Sequence, residues 1–125
     1  MASSTYSDNL VLNYLLRGVS APPSSWYVAL FTSDPSVDSS TEVSGNGYTR
    51  QAVTFLAAIG GVARNSADLT FGTATSSWGV LTHYAVYDAS TSGNLLVYGV
   101  LESSYEVETD DQVIIQAGKI QVSLE

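Results

Sequence analysis

From Ser25 onward the chain is a succession of short runs rich in aromatic and β-branched residues, each broken by a cluster of Gly, Asn, Asp or Ser. Runs this short cannot sustain helices, and their two-residue alternation suits strands joined by turns. Seven strands are predicted, at 25–32, 48–55, 67–71, 80–87, 95–101, 112–116 and 119–124. The first carries apolar residues on both alternating faces, which marks a central strand, and in the third Ala67, Leu69 and Phe71 share one face. Val113 and Ile115 are separated from Ile120, Val122 and Leu124 by Ala117 and Gly118, which predicts a tight closing hairpin. The expected fold is therefore all-β, an antiparallel, jelly-roll-like β-sandwich with one N-terminal α-helix. A Ser-rich stretch over 34–47 reads as a long exposed loop.

The helix is expected over 9–17, capped by Ser7 or Asp8 and ended by Gly18, with Arg17 suiting the dipole of its last turn. Leu10, Val11, Tyr14 and Leu15 follow helical spacing. Leu12 and Leu16 extend the apolar surface around most of the circumference, so the helix should be covered on two sides, by its own domain or by a neighbour. With 125 residues the chain suits a single domain, 1–125, in which 1–24 form the arm and helix.

There is no cysteine, so packing alone must hold the fold. Charged residues make up only 13% of the chain, and twelve acidic residues face four basic ones, Arg17, Arg50, Arg64 and Lys119, for a net charge of −8. Such a surface repels phosphate backbones, which argues against nucleic acid. The apolar runs fall short of the roughly 20 residues of a spanning helix, and no secretory signal is evident, so no membrane partner and synthesis in the cytoplasm are expected.

Little points to chemistry. The one histidine, His83, lies in a predicted strand on the face of Leu81, Ala85 and Tyr87, where a packed or interface role is expected. No nucleophile motif accompanies it. Glu102, Glu106, Glu108, Asp110 and Asp111 cluster without the Asp-x-Asp-x-Asp-Gly spacing of a calcium loop and read as the solvated face of an edge strand, with a divalent-ion site as the alternative. Trp78, between Ser77 and Gly79, and Tyr105, beside the acidic turn, are the exposed aromatic candidates for stacking a ligand such as a sugar. No catalytic residue, metal ligand or cofactor is assigned, and no enzyme is expected.

Several segments are similar to one known group. The stretch from Asn13 to Gly18, the run from Tyr27 to Pro35 and the segment Glu42-Val43-Ser44-Gly45-Asn46-Gly47-Tyr48-Thr49-Arg50-Gln51 resemble a family of small tailed-phage virion proteins. So do Asp68 to Phe71, Ser77-Trp78-Gly79, Thr82-His83-Tyr84, Gly93 to Leu96 and Ala117 to Leu124. Such proteins are labelled tail-fibre-like, and similar small β-sandwich proteins serve as capsid decoration, or cement, proteins. The resemblance implies a structural role in a virion and no catalytic residue. Because the chain has no shaft-like repeat, the expected role is decoration of the capsid; a tail-fibre or tail-associated adhesin is the alternative. The implied partners are further copies of the chain, by analogy a trimer, and the major capsid protein; the adhesin role would add a host surface glycan or protein. The contacts expected are Tyr6 in the arm, Leu12, Leu16 and Arg17 on the helix, and Val37 and Val43 in the loop.

Overall fold

The computed structural model describes residues 2–19 and 21–123. The chain adopts the expected fold class: antiparallel sheets in a sandwich-like arrangement with one N-terminal helix. Among the described residues nine strands are formed, β1 (Ala2–Ser3), β2 (Tyr27–Phe31), β3 (Gln51–Ala52), β4 (Val62–Arg64), β5 (Leu69–Thr70), β6 (Gly79–Tyr87), β7 (Leu95–Val107), β8 (Ile114–Ile115) and β9 (Gln121–Ser123), with helix α1 (Thr5–Arg17) between the first two. A five-stranded sheet of order β1-β7-β6-β2-β3 forms one layer. Two small ladders, β4-β9 and β5-β8, supply the other.

Strand β2 is central, as expected, because both of its faces are apolar. Val28 and Leu30 enter the main core between the layers, whereas Ala29 and Phe31 join Ala85 and Tyr87 in a second cluster on the reverse face. The small ladders close the main core with Leu69, Phe71, Val113, Ile115 and Ile120. Strand β6 changes face partway along. Leu81 pairs with Tyr105 and His83 with Val100, so β7 carries extra residues there and forms a bulge. This moves Leu81 to the main core together with Tyr84 and Val86. His83 keeps the parity of Ala85 and Tyr87, as expected, but no longer shares a face with Leu81.

The expected closing hairpin does not form. Strand β8 pairs with β5 and β9 pairs with β4, so the turn at Ala117 and Gly118 carries the chain from one ladder to the other. Asn65 and Asp68 are the physical reason, since they bind the backbone amides of this turn. The Asp68 carboxylate accepts from the Ala117 amide at 2.8 Å, the Asn65 carbonyl from Gly118 at 3.0 Å and Asn65 Oδ1 from Ile120 at 2.9 Å. Asn65 is only 1% exposed, and its amide also donates to the Ala67 and Gln116 carbonyls.

Other differences are local. The helix begins earlier than expected because Ser4 is the cap: its Oγ accepts from the Ser7 amide, and its own amide is held by the Leu96 carbonyl at 2.9 Å. Asp8 lies in the first turn, and Gly18 ends the helix in the left-handed region, as expected. The strand expected over 48–55 is ordered as ladder only at β3, and β1 and β4 arise where none was expected. Both are short pairings to distant strands, which local periodicity does not reveal. Met1 of the arm and Leu124 of the last expected strand lie outside the described residues.

Replacing Asn65 by Ala removes the partner of the buried Ile120 amide and the side-chain bond to the Ala67 carbonyl, while the Gln116 carbonyl keeps the Lys119 amide. Loss of roughly 2–3 kcal/mol is expected on that ground and is measurable by urea denaturation.

Candidate functional site

The segment richest in polar chemistry, Glu42 to Gln51, forms a structural clamp. The Arg50 guanidinium, with a side chain only 7% exposed, meets Glu42 through two parallel bonds, Nε to Oε2 and Nη2 to Oε1, both 2.8 Å. Its Nη1 donates to the Ala89 and Ser92 carbonyls at 2.9 and 2.8 Å, and the guanidinium lies 3.9 Å over the Tyr87 ring. The Tyr48 hydroxyl donates to Glu42 Oε2 at 2.8 Å and accepts from the Leu30 amide at 3.1 Å. Burial pushes the Tyr48 phenol well above its usual range, so it remains a neutral donor. Every partner here is a protein group, and the arrangement ties the loop after β2 to the turn between β6 and β7.

Glycines in the same segment serve the same end. Gly47 has φ +86, and a Cβ there would strike the Thr73 carbonyl, so the backbone passes close to the segment that leads into β6. The Asn46 carbonyl then accepts from the Trp78 indole at 2.9 Å. Trp78 is accordingly 6% exposed and packs edge-on against Tyr48, 5.5 Å between centroids. The exposure expected for Trp78 is thus corrected: the indole N–H needed a partner, found it in the Asn46 carbonyl, and the ring went into the core.

Val43 is likewise corrected as a surface contact. It is 7% exposed, a member of the main core, and its amide donates to the Leu30 carbonyl at 3.0 Å. The loop folds back on β2 and leaves its tip outward, with Val37 84% exposed. Two short turns shape that tip, where the Asp34 and Asp38 carboxylates accept from Ser36 and Ser40. Those side-chain and backbone bonds hold both carboxyls below the ordinary value, so the turns keep them as pH falls until the lowered values are reached.

His83 is half-buried, and its Nδ1 is 2.7 Å from the Thr82 hydroxyl. Among the described residues no group of three or more His, Cys, Asp and Glu could hold a metal ion. In the acidic segment, the Asp111 carboxylate accepts from the Glu108 amide at 3.0 Å, and Glu102 lies 3.8 Å from Lys119. Tyr105 is exposed, as expected, and lines a cleft of about 500 Å³ with Glu102, Gln116 and Lys119.

A second and larger recess is apolar. It measures about 710 Å³ and lies between helix α1 and the end of the main core, floored by Trp26, Phe55, Val86, Leu96 and Val122 and walled by Pro22 and Pro23. No charged side chain lines it. Helix α1 contributes Leu10, Val11, Tyr14 and Leu15, yet none of its residues is buried. Leu12 and Leu16 face outward, Leu16 being 78% exposed, with Tyr6, Arg17 and Val19 also exposed. Of the six residues expected to make contacts, Tyr6, Leu12, Leu16 and Arg17 are thus brought together on one helix, Val37 stands apart and Val43 is interior. The recess itself was not foreseen. Its available signal was the Pro22-Pro23 pair directly after an apolar helix.

The sequence matches the family described as Podophage GP4 fiber I protein gp80 over residues 2–123. The chain belongs to this family. It is therefore a phage fibre or virion structural protein, a membership that points to a structural rather than an enzymatic role. No curated protein matches it. Among the described residues, no helix is long and apolar enough to cross a membrane. In this family member, the Glu42 to Gln51 segment, one of those that carry the sequence resemblance, holds the scaffold together, and helix α1 presents an exposed apolar surface apart from it.

The clamp predicts a large stability effect. Arg50→Ala strands a partly buried carboxylate and should lower stability by about 3–5 kcal/mol in urea unfolding. Arg50→Lys, which keeps the charge without the fork, should recover less than half of that loss.

Proposed function

We propose that the chain is a subunit of a podophage tail fibre and that it joins its neighbours in the virion through helix α1 and the adjoining apolar recess. The observation that carries this reading is a thirteen-residue helix, apolar around most of its girth, with no residue buried. A helix normally buries an apolar stripe against another layer, and in water exposed leucines of this density are a liability unless a partner covers them. The surface around it suits assembly between like-charged copies. The chain carries a net charge of −8, but the recess has no charged lining residue and the helix holds only Asp8 and Arg17.

Capsid decoration, the role expected from the sequence, would use the same surface on the major capsid protein. Membership of a fibre-protein family favours the tail. Burying Leu12 and Leu16 fully against a partner contributes roughly 1.5–3 kcal/mol each, enough when repeated over several copies to hold a multimer. The fibre subunit is expected to be a homo-oligomer on this account, and a trimer is the arrangement proposed.

The test is to build virions carrying Leu12→Glu and Leu16→Glu together and to locate the protein by cryo-electron microscopy. Density at the tail in the parent virion, lost in the variant while the isolated variant unfolds at an unchanged temperature, is the expected result. Parent density arrayed over the head shell would overturn the fibre assignment in favour of decoration. Host contact, in this reading, falls to the separate polar cleft at Tyr105. Tyr105→Ala should reduce adsorption to host cells without changing fibre content; unaltered adsorption would remove Tyr105 from that role.

A further inference from the structure

We infer that the cleft beside Tyr105 binds an uncharged saccharide, with the Tyr105 ring as its stacking face and the Tyr84 hydroxyl as its buried polar contact. This deepens the host contact proposed above and rests on it. The cleft holds about 500 Å³, a size suited to small ligands, and its lining mixes Tyr84, Tyr105, Glu102, Ser103, Gln116 and Lys119 with apolar residues. The Tyr84 phenol singles it out. Tyr84 is only 7% exposed and packs in the main core, yet among the described residues no group bonds its hydroxyl. Every fully buried side-chain nitrogen or oxygen of those residues has a partner. The Tyr84 hydroxyl therefore reaches open space, and the open space that Tyr84 lines is this cleft. Hydroxyls on buried residues are normally bonded, so this one is a donor and acceptor still to be met. Burial pushes the phenol above its ordinary value, which keeps it neutral.

Two features of β7 build the site. Gly99 stands opposite Tyr84, and a Cβ there would lie 2.9 Å from the hydroxyl oxygen and 3.0 Å from the ring, so the missing side chain lets the phenol lie across β7. Glycine inside a strand costs stability and commonly marks such a close approach. Further along, residues 101–104 stand against the single Thr82 of β6, and this bulge contributes Leu101, Glu102 and Ser103 to the cleft. Pairing resumes at Tyr105, which stays 45% exposed.

The same residues select the ligand. The charged lining residues are Glu102 and Lys119, one of each sign and 3.8 Å apart, within a chain of net charge −8. An anion is repelled by the field of the whole chain, and a cation finds the carboxylate already paired. Hydroxyls, an amide, a carboxylate and an ammonium around one aromatic face match a sugar ring, whose C–H face stacks and whose hydroxyls need donors and acceptors alike. A peptide adding to the sheet would need a regular row of backbone groups, and the bulge at 101–104 interrupts that row.

The test titrates the full-length protein, by ligand-observed NMR, with oligosaccharides of glucose, galactose, rhamnose and N-acetylglucosamine and with sialylated and phosphorylated counterparts. The uncharged members should bind. Tyr84→Phe, which removes one oxygen, should weaken that binding about five- to tenfold while unfolding at a temperature no lower than the parent's, and Tyr105→Ala should weaken it about tenfold. Binding of the charged members alone, of no member, or of uncharged members without loss in Tyr84→Phe overturns the inference. The host-contact reading fails separately. Virions carrying Tyr105→Ala that adsorb normally remove host contact from this cleft whatever the saccharides do, whereas impaired adsorption with no saccharide bound keeps the contact and makes a host protein the partner.

Discussion

The ion pair between Glu42 and Arg50 fixes the positions of more chain than any other interaction. Arg50 is one of four cations in an acidic protein, and it is spent almost entirely inside. Through one guanidinium it holds the loop after β2, the start of β3, the carbonyls of Ala89 and Ser92, and the Tyr87 ring. A buried pair of this kind contributes less to net stability than its distances suggest, because both ions lose their water. Its value here is geometric. The planar fork accepts one arrangement of the carboxylate and two carbonyls, which sets how the loop folds back on β2 and so delivers Val43 to the core and Tyr48 to the Leu30 amide. With Tyr48 in place, Trp78 and Phe71 pack around it.

Much of the fold could be read from the chain, and the reasons differ by element. Strand β2 announced itself by apolar residues on both faces, and the end of α1 by Arg17 and Gly18. Signals that depend on distant partners were silent. Nothing near Ala117 indicated that Asn65 and Asp68 would take the amides of the expected hairpin, and nothing near Ala2 that the β7 edge would receive it. The bulge that parts Leu81 from His83 is set by extra residues on β7, far along the chain. Trp78 was misplaced for a simpler reason, since flanking serines and glycine describe the turn beside it and not the carbonyl that receives its N–H.

The candidate surface was legible in kind but not in form. Apolar residues around most of the helix call for cover by its own domain or by a neighbour, and Tyr6, Leu12, Leu16 and Arg17 do stand together on it. The recess beside them needs residues from the ends of several strands and from the segment before β2, which only the folded chain assembles. The Glu42 to Gln51 segment, one of those that resemble the family, is scaffold. Its polar residues hold the fold, while the contact surface proposed here lies in a run of leucines on α1.

Amide hydrogen exchange, compared between the free protein and the same protein within intact virions, tests that division most directly. The account predicts that protection rises across α1 and at 95–98, where the arm and recess lie, while the Glu42 to Gln51 clamp is equally protected in both. New protection confined to the loop tip at Val37 or to the acidic segment 102–111, with α1 unchanged, would contradict it.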